Sequence, residues 1–310
     1  MNPSHRAGMI AIVGRPNVGK STLLNALVGA HVSITSRKPQ TTRQRVLGVA
    51  TRPDAQYVFV DTPGLQYRHR NLLARRMNAN VGAALHGVDA VVMVIDAQGW
   101  RQEDDAVLAV LGEPPADATQ SKVVLALSKT DLLPEKNALL PVLAKANARY
   151  PFAALVPVSA ARGWQLDDLL GALRGLLPEG MPLFDEDAIT DRNVRFLAAE
   201  LIREQAFRLL GDELPYGLAV AIESWEENEE GARIAARILV ERESHRGIVI
   251  GAGGAKLRDI GTRARTAIER LLEKPVFLET HVRVSAGWSN DARALDRLGV
   301  EAANPRQERS

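Results

Sequence analysis

Gly14-Arg15-Pro16-Asn17-Val18-Gly19-Lys20-Ser21 follows directly on the apolar run Met9-Ile10-Ala11-Ile12-Val13. The order reads as a buried strand, a glycine-bounded loop and a helix that begins near Lys20 and continues through Ser21 and Thr22. Two glycines let the backbone turn tightly and aim its N–H groups at an anion. Lys20 reaches the β- and γ-phosphates of a nucleotide in such a loop, the Ser21 hydroxyl ligates Mg²⁺, and the helix N-terminus adds positive potential behind the phosphates. This stretch alone predicts a phosphate-binding loop between a strand and a helix.

Composition sets the frame around it. A chain of 310 residues has room for about two domains, and its 46% hydrophobic and 25% charged residues are those of a globular protein. The net charge is only +2, so a nucleic-acid role has to come from a local patch. No cysteine is present, which excludes disulfides, cysteine-ligated zinc and cysteine nucleophiles. No apolar run approaches a membrane span. A single basic residue, Arg6, precedes the first strand, which is not the layout of a cleaved signal. The cytoplasm is the expected compartment.

From Met9 to about Leu177 short apolar runs alternate with helical patterns. The runs are Tyr57–Val60, Asp89–Ile95, Lys122–Leu127 and Leu155–Val158; the helical patterns include Asn71–Leu85, Glu103–Leu111 and Leu166–Leu176. Continuous apolar strands separated by helices predict a doubly covered, mainly parallel sheet, which binds ligands at its strand ends. Polar residues stand there. Asp61-Thr62-Pro63-Gly64 can hold Mg²⁺ through a water on Asp61, and Gly64 can offer an unobstructed N–H to a γ-phosphate. Ser128-Lys129-Thr130-Asp131 suits a purine. The Asp131 carboxylate can accept from guanine N1–H and the exocyclic amine, a pair that adenine lacks, while the Lys129 stem lies along the base. Ser159-Ala160 would add a backbone N–H to guanine O6.

These segments, with Ser33-Ile34-Thr35-Ser36-Arg37-Lys38-Pro39-Gln40-Thr41-Thr42-Arg43 and Asp61-Thr62-Pro63-Gly64-Leu65, resemble the translation-factor-like GTPases. They are most similar to the Era-like branch, a family of ribosome-assembly GTPases. The resemblance implies GTP and GDP as ligands and Mg²⁺ held by Ser21, Asp61 and a switch I threonine. Carried over, that threonine is Thr42, with Thr41 the nearest competitor. The groups set against the reacting phosphate would be Lys20, Thr42, Gly64 and Asn17, the last through K⁺, which related GTPases with this asparagine use in place of an arginine finger. Two residues depart from the pattern. Leu65 cannot orient a water as the glutamine of Ras-like enzymes does. Ser128 replaces an asparagine and can do only part of its work, at a cost of about 1 kcal/mol.

Beyond a linker over 179–192 the pattern changes. A helix over Val194–Leu210, strands over Tyr216–Ser224 and Ala232–Glu243, a helix over Leu257–Leu272 and a strand over Val276–Ser285 give the order α-β-β-α-α-β. Gly251-Ala252-Gly253-Gly254 falls between the two later helices. The arrangement resembles a type II KH domain, whose Gly-x-x-Gly loop clamps the backbone of about four single-stranded nucleotides. Between Arg246 and Arg270 six basic residues face two acidic ones, whereas Glu223–Glu230 carries five glutamates and no base. Arg246, Gly251, Ala252, Gly253, Gly254, Lys256, Arg258 and Arg263 are the expected RNA contacts. Ala252 stands where the family often has lysine, which subtracts one phosphate contact that Lys256 is expected to replace in part. Trp288 is expected to pack against the KH fold rather than stack on a base.

The expected organisation is thus a GTPase domain over 1–178, a linker over 179–192, a KH domain with a C-terminal helix over 193–299 and a polar tail over 300–310. The resemblance implies a monomeric GTPase switch that binds near the 3′ end of small-subunit ribosomal RNA during 30S assembly. It also implies peripheral membrane association, which none of these residues explains. Two other readings compete: a GTP-binding protein whose second domain docks a protein, and an RNA-binding scaffold with little hydrolytic activity.

Overall fold

The computed structural model describes residues 5–36, 41–64, 71–210 and 217–300. Its first sheet has six strands: β1 (Arg6–Val13), β2 (Val46–Arg52), β3 (Ala55–Asp61), β4 (Ala90–Asp96), β5 (Val123–Ser128) and β6 (Ala154–Pro157), in the order β2-β3-β1-β4-β5-β6. β2 pairs antiparallel with β3; the other pairings are parallel. Side chains alternate across the sheet, so neighbours in sequence enter different cores. Ile10 and Ile12 pack on one face with Leu23, Leu24 and Leu27 of α1 (Lys20–Val28) and Leu169, Leu170 and Leu173 of α5 (Leu166–Arg174). Ala11 and Val13 pack on the other with Val81, Val107 and Ala146. Those three residues belong to α2 (Leu72–Leu85), α3 (Gln102–Val110) and α4 (Leu139–Asn147). This two-sided burial explains the continuous apolar runs of the strands. Because β1, β3, β4, β5 and β6 are parallel, their C-terminal ends lie along one edge.

Two differences from the sequence reading stand out. β2 has no counterpart in it, because Val46–Arg52 is interrupted by Gly48 and ends in Thr51-Arg52. Asn71 caps α2 rather than starting it: its side chain accepts from Ala74 N–H at 2.9 Å.

The second sheet has the order β7-β8-β9, from β7 (Leu218–Glu227), β8 (Ala232–Val240) and β9 (Val276–Val284). β7 and β8 are antiparallel; β8 and β9 are parallel. Helices α6 (Val194–Leu209), α7 (Glu243–Ile250) and α8 (Ala255–Leu272) supply one covering layer. Ile202, Phe207, Val249, Ile260 and Ile268 pack there against Ile234, Ile238 and Val276. The chain order is the α-β-β-α-α-β expected. A short turn, Trp288–Asn290, and helix α9 (Ala292–Arg297) follow.

A small apolar cluster joins the two modules. Leu73 and Met77 of α2 pack with Ala219 of β7, Trp288, Leu295 and Val300. Trp288 is 1% exposed. It therefore packs, as expected, yet its neighbours include the first module as well as the KH fold. Residues 178–192 run along that first module. Ala7 N–H donates to Pro178 O and Gly180 N–H to His5 O. Leu183 and Phe184 N–H donate to Gln56 Oε1. Val49 N–H donates to Ile189 O and Leu47 N–H to Asp191 Oδ1, closing the outer edge of β2. Among the described residues no helix is long and apolar enough to cross a membrane.

Candidate functional site

The loop between β1 and α1 closes around the Lys20 ammonium, which donates to Gly14 O at 2.9 Å and Arg15 O at 3.1 Å. Burial pulls the Lys20 pKa down to about 8, with Asp61 pulling upward and Arg15 adding to the drop. Arg15 does not face the pocket. Its guanidinium meets the wholly buried Asp104 of α3, Nε to Oδ1 at 3.2 Å, and so fastens the loop from behind. Asn17 sits in left-handed backbone at φ 66°, a conformation its short amide tolerates.

Asp61 ends β3 in complete burial. Its Oδ2 accepts from Ser33 Oγ at 2.8 Å, Ser21 Oγ at 2.9 Å and Thr42 Oγ1 at 3.2 Å. Ser21 and Thr42 hydroxyls are themselves 2.8 Å apart. Asp61 Oδ1 has no hydrogen-bond partner among the described residues. Burial raises the Asp61 pKa, against Lys20 and the three hydroxyls. The Thr42 side chain reaches Ser21 and Asp61, and the backbone carbonyl of Thr41 accepts from Arg203 of α6 at 2.6 Å. Gly64 lies against the loop so closely that a Cβ there would stand 3.0 Å from Pro16 N. Pro16, Asn17, Gly19, Lys20, Ser21, Thr22, Thr42 and Gly64 line one pocket with Ile34, Thr35, Ser36 and Thr41. Thr62, buried beside them, fixes the turn by donating to Ile12 O at 2.7 Å, and Pro63 follows it. Leu65 lies outside the described residues.

The other strand ends lock onto this loop. Ser128 Oγ is within hydrogen-bonding reach of Val18 O and of Ile95 O, the latter at 3.0 Å. Of the two tasks of the asparagine it replaces, Ser128 therefore performs the tether. Lys129, itself in left-handed backbone, donates to Asn17 O at 2.7 Å and Asp96 Oδ2 at 2.9 Å, which draws its stem across the mouth of the site. Thr130 and Asp131 follow in a short 3-10 turn, and Ser159 Oγ donates to Asp131 Oδ1 at 2.6 Å. Ser159 N–H donates to Trp164 O at 3.2 Å, and Ala160 follows it.

In the second module Gly251, Gly253 and Gly254 have φ of 71°, 56° and 77°, a run that side chains would strain. Exposed Ala252 and Gly253 bring bare backbone to the surface between α7 and α8. Beside this turn α8 and β9 form a groove of about 460 Å³ lined by Gly254, Leu257, Arg258, Gly261, Thr262, Arg265, Val276, Phe277, Leu278 and Thr280. Lys256 and Arg258 are exposed and make no ion pair among the described residues. Arg246 pairs with Glu243 at 3.5 Å and Arg263 with Asp259 at 2.9 Å. Arg263 lies outside the groove lining. The lining stripe recurs at positions 254, 257, 258, 261, 262 and 265, the helical i+3/i+4 period, and it includes Arg265 but not Arg263. Sequence reading missed Ser33, which resembles any loop serine, and the groove residues of β9, where alternation alone does not tell the groove side.

Residues 9–129 match the family model described as 50S ribosome-binding GTPase, and residues 213–289 match that of the KH domain. GTPase Era of Bordetella pertussis is 52% identical over 300 residues, spanning 97% of this chain and 99% of the relative. The chain belongs to the Era family of GTPases. GTPase Era of Xanthomonas oryzae is 51% identical over 297 residues, 96% of this chain and 98% of its own. Two solved Era structures share the fold with a TM-score of 0.90 at 37% identity, over 96% of this chain and 99% of theirs. One is a variant of Aquifex aeolicus Era bound to GDP·AlF4⁻; the other is Era in complex with MgGDPNP and nucleotides 1506–1542 of 16S ribosomal RNA.

Proposed function

We propose that this chain is a GTP-hydrolysing switch that binds single-stranded small-subunit ribosomal RNA near its 3′ end during 30S assembly. The observation that carries the reading is the convergence of Ser21, Thr42 and Asp61 beside the buried ammonium of Lys20. Two hydroxyls and a carboxylate are the hard oxygen donors that Mg²⁺ takes alongside phosphate oxygens. Asp61 Oδ1, buried and without a protein partner among the described residues, gives that donor set a further acceptor. The residues therefore fit a magnesium nucleotide, with Ser21 and Thr42 as ligands and Asp61 acting through water. Held by these residues, Mg²⁺ would neutralise negative charge that develops on the phosphates.

The protein groups divide the remaining work. Lys20 supplies a second positive charge at the β- and γ-phosphates. Gly64 offers its N–H to the γ-phosphate, which only a residue without a side chain can do while pressed on Pro16. Asp131, oriented by Ser159, accepts the two guanine N–H groups, and the Ala160 amide meets O6. Water attacks the γ-phosphorus, the bond to the β,γ-bridging oxygen breaks, and GDP and phosphate result. With leucine at position 65, alignment of the water falls to main chain and switch I, and Asn17 would hold K⁺ at the phosphates.

On the RNA side, the three glycines at positive φ clamp phosphates, Lys256 and Arg258 neutralise them, and the α8–β9 groove receives the bases. The relative solved with 16S nucleotides supports a small-subunit target. The family label naming the 50S particle matches only residues 9–129, a segment without the glycine turn of the second module. The cytoplasm, where ribosomal particles assemble, is the working compartment. No residue cluster in the described chain accounts for membrane association.

The deciding experiment measures GTP turnover of the full chain with and without 30S particles, alongside binding of an RNA oligonucleotide of the 16S 3′ end. We expect guanine-specific, Mg²⁺-dependent turnover and RNA binding that depends on the nucleotide state. RNA binding that persists unchanged in Lys20→Ala, with no turnover in the parent protein, favours the scaffold reading for which Leu65 speaks.

A further inference from the structure

Switch I ends in a segment gripped on both sides. Thr41 O accepts from Arg203 of α6 at 2.6 Å. Arg43 donates from Nη1 to Leu218 O at 2.6 Å, and its guanidinium lies 5.7 Å from the Phe207 ring centroid and 5.6 Å from that of Trp288. Gln44 Nε2 donates to Leu298 O at 2.6 Å, and Arg45 O accepts from Arg192. Of the five residues 41–45, four are thus bound by the RNA-binding module or its linker. The exception is Thr42, whose hydroxyl turns the other way, to Ser21 and Asp61. On the N-terminal flank of switch I, Thr35 donates from its N–H and its hydroxyl to Glu204 Oε1 at 2.8 and 2.9 Å. Glu204 is 2% exposed.

We propose that Arg43 is a positioning residue: seated between Phe207 and Trp288, it carries the docking of the RNA-binding module into the placement of the Thr42 hydroxyl at the nucleotide. This deepens the proposed function and rests on its assignment of Thr42 to the magnesium triphosphate. The physical case is adjacency. Thr42 and Arg43 share a peptide bond, so neither side chain can settle without constraining the other. A guanidinium flanked by two aromatic faces in a buried site is held by cation–π attraction and by its carbonyl acceptor, and it is costly to strand. Lysine brings neither the delocalised cation nor the fork of donors of a guanidinium. The coupling is reciprocal: whatever stabilises docking raises triphosphate affinity by the same factor as the triphosphate stabilises docking.

The test uses the full chain and compares dissociation constants for a non-hydrolysable GTP analogue and for GDP, both with Mg²⁺. Arg43→Ala, Arg43→Lys and Trp288→Phe are expected to weaken the GTP analogue by about tenfold while GDP changes less than about twofold, because only the triphosphate state engages Thr42. The Arg43→Ala/Trp288→Phe pair is expected to fall short of the product of the single effects. A second readout needs no bound nucleotide. The parent chain has no cysteine, so dyes placed at exposed Glu113→Cys and Glu230→Cys report the distance between modules. Arg43→Ala should broaden that distance, and Arg43→Lys should do so in part. Equal loss of GDP and GTP-analogue affinity, multiplicative effects of Arg43 and Trp288, or an unchanged distance overturns the proposal. If the parent chain binds no guanine nucleotide, the reading of the site fails and the proposal fails with it. Normal parent binding with an unaltered Arg43→Ala ratio sinks the proposal alone.

Discussion

Ser159 Oγ sits 2.6 Å from Asp131 Oδ1, so one carboxylate oxygen of the base-reading residue is already fixed before any purine meets it. Ser159 is wholly buried and cannot swing away. That hydrogen bond restrains the carboxylate proposed to accept from guanine N1–H and the exocyclic amine.

Specificity should follow from this pair. In Asp131→Asn the acceptor for two N–H groups becomes half donor. Loss of two charge-assisted hydrogen bonds weakens GTP by about 3 kcal/mol or more, roughly a hundredfold. The new amide matches a carbonyl at the purine 2-position, so xanthosine triphosphate should gain where GTP loses. Ser159→Ala should cost about 1 kcal/mol, near fivefold, without changing the order of preference. Competition titrations with GTP, XTP and ATP read both effects; an Asp131→Asn protein that still prefers GTP contradicts the assignment.

Ser128 makes a different prediction. Its hydroxyl holds the phosphate loop through Val18 O, so Ser128→Ala loosens the loop for di- and triphosphate alike. GDP and GTP affinities should both fall by about fivefold, the worth of one buried hydrogen bond. A selective loss of one nucleotide would place Ser128 in the wrong role.

The Lys20 ammonium gives nucleotide affinity a pH dependence. Burial lowers its pKa to about 8, so below that pH the charged form is present and affinity is flat. Above it the neutral amine must take up a proton to bind phosphate, and affinity falls by about tenfold per pH unit until the higher pKa of the complex is reached. Calorimetric titration of GDP from pH 7 upward, kept below the range where guanine itself ionises, should show this break. A flat profile to the alkaline end would refute it.

The glycine turn in the second module should act through phosphates. Placing a carboxylate in a left-handed position that faces RNA, Gly253→Asp, is expected to lower RNA affinity by about a hundredfold and leave GTP binding unchanged. In the parent chain the logarithm of RNA affinity should fall against the logarithm of salt with a slope of about −3, as four clamped phosphates require. Filter binding across salt concentrations measures both.

Asn17 carries the remaining test. Turnover with K⁺ should exceed turnover with Na⁺ at the same ionic strength, and Asn17→Ala should remove the difference. Identical rates in the two salts would exclude a cation there.

What was legible in the sequence was what repeats locally. The apolar runs of β1, β4 and β5 are buried on both sides, so their composition alone marks them. Lys20, Asp61 and Gly64 stand at strand ends, where spacing and residue type coincide. Illegible were relations between distant segments. Arg203 and Glu204 have the residue types of a helix surface, yet both are buried, with Thr41, Thr35 and His31 of the first module bonded to them. Trp288 similarly lies among residues more than two hundred positions away. That the Thr42 hydroxyl meets Ser21 and Asp61 is a contact between distant segments, which no spacing rule supplies. Arg263 and Arg265 look alike in a basic helix, and only the period of the groove separates them.

The backbone stitches from Pro178 to Asp191 along β1 and β2 leave little chain free between the two modules. The second module is therefore held on a short leash rather than a long tether. An undocked module stays within a short arc of its partner, at a local concentration far above any free protein in a cell. Redocking would then be an intramolecular event that needs no diffusive search.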